Sequence, residues 1–227
     1  MLIHHPNISL KSSQTLYCDI ANPKSYSRSG SNLIDLGRGK NNMTINGAIT
    51  YSSSFGGILS FTGLTSQFIS FNNTAASAPQ SQGASWVFSM EFWFRISSLS
   101  AINGLFNQPA GLCINIQTTG AVRLMYSTST QIGISNTNII SAGQWYHLVV
   151  TRDASNYFNV YINSLPIITN VLNSSSFSST STRIGYGGGS TSAFNGDIAI
   201  VKTYKGSVIS QNNIIQNYNA IKGRFGL

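Results

Sequence analysis

Charge is what this 227-residue chain has least of: 8% of its residues are Asp, Glu, Lys or Arg, against about 25% in an average globular protein. Five of them are acids, Asp19, Asp35, Glu91, Asp153 and Asp197, spread over different segments. A hydrolase that brings two carboxylates together on one sugar is therefore short of parts. Cysteine is scarce too. Cys18 and Cys113 each sit in an apolar run, which reads as two buried free thiols rather than a disulfide. No uninterrupted apolar stretch reaches the roughly 20 residues of a membrane-crossing helix, so no membrane partner is expected. Residues 1–6 lack a basic n-region and a long apolar h-region, so no signal peptide is expected. No Gly-x-Ser-x-Gly elbow accompanies His147, which reads as a packed or partly exposed strand histidine. No P-loop Lys-Ser/Thr pair follows the glycine run at 185–189, which reads as a tight sheet-edge turn.

Ser, Asn, Thr and Gly supply the polarity instead. Thirteen Lys and Arg against five acids leave a net charge of +8, but the bases are scattered, as at Arg95, Arg123, Arg152 and Arg183. That pattern lacks the dense stripe of a nucleic-acid surface, and no nucleic-acid partner is expected. The clearest local signal is a hairpin at 144–163, two runs of aromatic and β-branched residues around Ala154-Ser155. Residues 88–96 alternate, with Phe88, Met90, Phe92, Phe94 and Ile96 on one face and Ser89, Glu91, Trp93 and Arg95 on the other. Glu91 and Arg95 are expected to form a surface ion pair there.

Short strands separated by turn residues fill most of the remainder, the rhythm of an antiparallel sandwich. Near the end, Ile214, Ile215, Tyr218 and Ile221 recur at helical spacing, with Ser210 placed as N-cap and Gly223 as C-cap. The reading is an N-terminal arm over 1–15 and one domain over 16–227 with an amphipathic helix at 211–222 and a short tail.

Several segments in fixed order carry a resemblance: 57–63 (GILSFTG), 90–95 (MEFWFR), 145–153 (WYHLVVTRD), 160–163 (VYIN) and 194–199 (FNGDIA). Together they resemble the laminin-G-like, concanavalin A-like lectin/glucanase superfamily. The resemblance implies an all-β fold, a two-sheet antiparallel jelly-roll sandwich with one C-terminal amphipathic helix. The Glu-x-Asp-x-Glu strand of its glucanases is absent, since Phe92-Trp93-Phe94-Arg95 follows Glu91, and no enzyme activity is expected. Residues 22–26, 35–42, 183–186 and 215–220 look like the lectin-like domains of tailed-bacteriophage structural proteins, departing from them at Arg38 and Lys40, where smaller residues are usual. This narrower likeness implies a virion structural or decoration protein, made in the host cytoplasm. It would be homo-oligomeric and dock on other virion proteins through the N-terminal arm and C-terminal tail.

Sugars bind on aromatic faces flanked by amides and hydroxyls. Host-surface glycans are thus the expected ligands, with Trp93, Tyr126, Tyr157 and Tyr186 as candidate platform residues. These rings could equally pack under loops or against neighbouring subunits. A stand-alone lectin is the alternative, and a glycan-degrading enzyme stands well behind it. No cofactor is expected. Calcium, bound by several lectin-like relatives, has only Asp35 and Asp153 to start a site.

Overall fold

A computed structural model describes residues 13–72, 86–179, 181–188 and 192–227. In chain order the described strands begin with β1 (Gln14–Asp19), β2 (Asn32–Leu33), β3 (Met43–Asn46), β4 (Thr50–Ser52), β5 (Ile58–Thr62) and β6 (Phe68–Asn72). They continue with β7 (Phe88–Ile96), β8 (Asn103–Asn107), β9 (Leu112–Ile116), β10 (Val122–Tyr126), β11 (Thr130–Ile134) and β12 (Trp145–Arg152). The last are β13 (Tyr157–Ile162), β14 (Leu165–Leu172), β15 (Ser181–Ile184) and β16 (Asn195–Lys205), before helix α1 (Gln211–Ile221).

The strands form two eight-stranded antiparallel sheets. The first runs β14-β13-β12-β7-β16-β5-β4, and β1 pairs with the part of β16 beyond β5. The second runs β11-β10-β9-β8-β15-β6-β3-β2. The 144–163 hairpin is the β12–β13 pair, closed where Asn156 N–H donates to the Asp153 carbonyl and Asn156 takes a left-handed φ of 69°. The edge strand β14 carries Pro166, whose missing N–H suits an edge. The expected arm mostly lies outside the described residues; Gln14 and Thr15 belong to β1.

Alternation decides what lies between the sheets. Phe88, Met90, Phe92, Phe94 and Ile96 of β7 meet Tyr146, Leu148 and Val150 of β12, Leu112, Ile114 and Ile116 of β9, and Val122 and Leu124 of β10 in one continuous core. Cys18 and Cys113 are buried free thiols.

The first sheet has a third layer on its outer side. Ser210 accepts from Asn213 N–H and caps α1, which buries Ile214 and Asn217 against that face. A 3-10 turn over Lys222–Phe225 follows, so the helix runs into this turn at Lys222 and does not stop at Gly223. Gly226 closes the turn at a φ of 75°. Phe225 lies over Trp93 and Trp145, at ring-centre distances of 4.8 and 4.3 Å.

Candidate functional site

Among the described residues no helix covers the outer face of the second sheet, where α1 covers the first sheet's. Cross-strand register places Asn107, Arg183, Ser70, Thr44 and Asn32 side by side on β8, β15, β6, β3 and β2. With strands about 4.8 Å apart, this polar row crosses four gaps and extends roughly 19 Å. The residues flanking these positions along the strands, among them Phe106, Ile184, Ile69, Phe71, Ile45, Met43 and Leu33, point into the core, which fixes the row outward. Asn46 sits beside it, donating from Nδ2 to Ser70 Oγ at 2.9 Å.

Arg183 is the centre of the row. Its guanidinium lies 4.7 Å from the Phe68 ring centre and 5.0 Å from that of Tyr186, and the two rings meet edge-on at 5.9 Å. Such stacking holds a planar cation in place and reduces the rotamer freedom left to lose on binding. Arg183, Phe68 and Tyr186 are all half-buried. No hydrogen bond or ion pair claims the Arg183 N–H groups among the described residues.

The glycine run folds from the central strand β15 across this face, so it is not at a sheet edge. Gly187 rests on Gly104, where an added Cβ would come within 2.0 Å of the Gly187 nitrogen, so neither residue tolerates a side chain. Together with Gly188 it covers Asn107 and Asn115. One side of the face is thus roofed and the side around Arg183, Ser70 and Thr44 is left clear. At the end of the sandwich nearby, Thr62, Ser98, Ser100, Asn103 and Asn195 line a cleft of about 320 Å³.

Of the four aromatic candidates, Tyr186 alone reaches this face. Trp93 is completely buried, stacked on Phe225, Tyr218 and His147, because the helix and tail cover the outer side of the first sheet; it offers no surface to a sugar. Tyr126 stacks on buried Phe177 and packs against the core. Tyr157 is exposed at the β12–β13 tip, paired with Leu172 on the β14 edge.

Glu91 is likewise not at the surface, and Arg95 is not its partner. Arg95 Nη2 pairs with Asp197 at 2.6 Å. Glu91 is fully buried and accepts from Tyr204 Oη at 2.7 Å, Asn217 Nδ2 at 2.8 Å and His147 Nε2 at 3.0 Å. Burial alone would raise its carboxyl, but Lys202 Nζ at 3.8 Å and the donors from His147 and Tyr204 outweigh that and hold it at about 2. This cluster pins α1 through Asn217.

The two calcium candidates are committed elsewhere. Asp35 accepts the backbone N–H groups of Tyr17, Gly37 and Asn41 and the Asn41 amide, closing its own loop. Asp153 accepts from Ser155 and Tyr157 N–H at the hairpin turn. Among the described residues no three His, Cys, Asp or Glu side chains gather as a metal site. The tail is committed as well: Arg224 donates to Asp19 at 2.9 Å and to the Phe55 and Gly57 carbonyls, so residues 222–225 fasten the chain to itself and do not form a free docking element.

The fold and the sequence agree on a class. Residues 68–214 match the family model of the concanavalin A-like lectin/glucanases superfamily, and the chain belongs to that family. No curated protein matches it in sequence. Among solved structures it is similar to the receptor-binding domain of botulinum neurotoxin type G, with 14% identity and a TM-score of 0.66 over 92% of this chain and 51% of that one. The binding domain of Paraclostridial mosquitocidal protein 1 gives 14% identity and 0.72 over 93% and 53%. A Trypanosoma rangeli sialidase in complex with the inhibitor DANA gives 13% and 0.64 over 89% and 32%. The chain thus spans about half the length of the toxin binding domains and about a third of the sialidase.

Proposed function

We propose that this chain is a non-catalytic glycan-binding module that uses the outer face of its second sheet. The observation that carries the reading is the open Arg183–Ser70–Thr44–Asn32 row with Phe68 and Tyr186 beside it. Amides and hydroxyls in a row meet the donors and acceptors of a saccharide, and aromatic faces meet its C–H surfaces. Membership of a lectin family and the likeness to toxin receptor-binding domains support the same ligand class.

Catalysis is excluded from the proposal on the carboxylates. All five accept from internal donors: Asp19 from Arg224, Asp35 and Asp153 from backbone N–H, Glu91 from the buried cluster, Asp197 from Arg95 and Ser60. No pair is left to serve as acid and nucleophile. Immobilised glycan panels probed with the purified chain test the reading. Saturable binding that weakens in Ser70→Trp, which fills the row with bulk, supports it; absence of binding to every glycan overturns it, and sugar release from a bound polysaccharide overturns the non-catalytic part.

For the setting, we place the module on a phage particle as a structural or decoration protein, attached through its N-terminal arm and homo-oligomeric. The support is the likeness of segments 22–26, 35–42, 183–186 and 215–220 to phage lectin-like domains; Arg38 and Lys40, where the chain departs from them, are exposed on the Asp35 loop. Mass spectrometry of purified particles decides this. A chain missing from intact virions leaves the stand-alone lectin.

A further inference from the structure

Four arginines of this chain stack on aromatic rings. Arg95 lies over Phe55 and Trp145 and pairs with Asp197. Arg152 lies over Phe158 and Phe177 and donates to the Asn173 and Ser175 carbonyls. Arg224 lies over Phe225 and pairs with Asp19. Arg183 has the same ring setting and, among the described residues, no acceptor at all.

The whole chain offers it none of the usual kind. The five acids all lie elsewhere and are all occupied. The outer face of the second sheet carries no carboxylate, yet it carries a second arginine, Arg123, on β10 opposite Asn115. Arg123 Nε is buried with no hydrogen-bond partner among the described residues. Two cations without counter-charge on one polar face make a field that favours an anion. A clamped guanidinium adds the planar fork that binds oxyanions through two parallel N–H···O bonds.

We infer that the row around Arg183 selects an anionic saccharide, with Arg183 taking its carboxylate or sulfate and Ser70 and Thr44 taking neighbouring hydroxyls. The inference rests on the glycan-binding reading and narrows it to one ligand charge. A hydrogen bond to a charged group is worth about 1.5–3 kcal/mol, so the acidic member of a matched pair binds about tenfold tighter or more.

The test is calorimetry and glycan-array titration on three matched pairs: a sialylated oligosaccharide and its desialylated form, a uronate oligosaccharide and its methyl ester, a sulfated oligosaccharide and its desulfated form. The first two pairs against the third separate carboxylate from sulfate as the anion. Arg183→Gln and Arg183→Lys are compared with Lys24→Gln, which removes the same charge from an exposed position in the loop between β1 and β2. The expected result is an acid preference in the unmodified chain for at least one pair, lost in Arg183→Gln, reduced in Arg183→Lys and kept in Lys24→Gln. Equal binding of acidic and neutral partners by the unmodified chain overturns the inference while leaving glycan binding intact. So does a preference that survives Arg183→Gln, or one that falls equally in Lys24→Gln. Binding to no glycan of either kind overturns both readings.

Discussion

The two outer faces of this sandwich are built from alternating strands of the same kind and end up opposite. On the first sheet the outward positions Glu91, Trp93, Trp145, His147, Ala199, Ile200 and Lys202 are closed in by α1 and Phe225, and the polar ones are joined to each other. Among the described residues the outward positions Asn32, Thr44, Ser70 and Arg183 of the second sheet meet no covering helix, and Arg183 is joined to nothing but two rings. Polarity alone therefore does not mark a binding face. What marks it is polarity whose hydrogen-bonding capacity the chain has not used, since a buried and satisfied network serves stability and an open, unclaimed one serves a ligand.

The largest expected effect belongs to the closed face. Glu91→Ala strands Lys202, His147, Tyr204 and Asn217 without their common acceptor and should cost about 3–5 kcal/mol in urea unfolding. Trp93→Ala should cost a similar amount by opening a cavity under Phe225. In both variants the fraction that stays folded should bind glycans as the unmodified chain does. A loss of binding without a loss of stability would move the site to the helix side and reverse the comparison.

Acid should act on the same face. Because the Glu91 carboxyl sits at about 2 in the fold against an ordinary 4.5, its stabilising effect is complete above 4.5 and is lost as pH falls toward 2. The size is roughly 3 kcal/mol, from about 1.4 kcal/mol per pH unit. Unfolding followed from pH 5 to pH 2 should show this slope, and Glu91→Gln should flatten it. On the open face the effects are smaller and fall on binding. Tyr186→Ala removes one side of the Arg183 clamp and should weaken an anionic glycan about fivefold, or about 1 kcal/mol, with little change in melting. The smallest effect is at the helix cap, where Ser210→Ala should cost about 0.5–1 kcal/mol and leave binding unchanged.

Much of the scaffold can be read directly from residues. The period-2 pattern of 88–96 declares its core face, the hairpin at 144–163 declares itself by composition and turn, and Ser210 with the spacing of Ile214 and Tyr218 declares the helix. The candidate site resists the same reading for a reason of topology. Strand β15 lies beside β8 and β6 in space but far from them in the chain, so nothing local brings Arg183 to Ser70 or Thr44. The error on Trp93 has a matching cause. Alternation gives a side chain its face, but says nothing about a helix more than a hundred residues later that lies down on that face. A partial signal existed, since a helix with Ile214, Tyr218 and Ile221 along one side needs apolar partners, which Trp93, Trp145 and Ile200 supply to Tyr218 and Ile221, and Val149 and Tyr204 to Ile214.

The glycine roof over the second sheet also makes the protein its own reporter. Cys113 lies completely buried, held at 2.7 Å by the Asn107 amide on which Gly188 packs, and its thiol is pushed up to about 11, chiefly by burial. A thiol reagent reaches a fully buried thiol only when the structure around it opens, so the rate of Cys113 modification measures that opening directly. A saccharide seated against Tyr186, next to Gly187 and Gly188 in the chain, would slow that chemistry in proportion to its occupancy, giving a binding assay that needs no label.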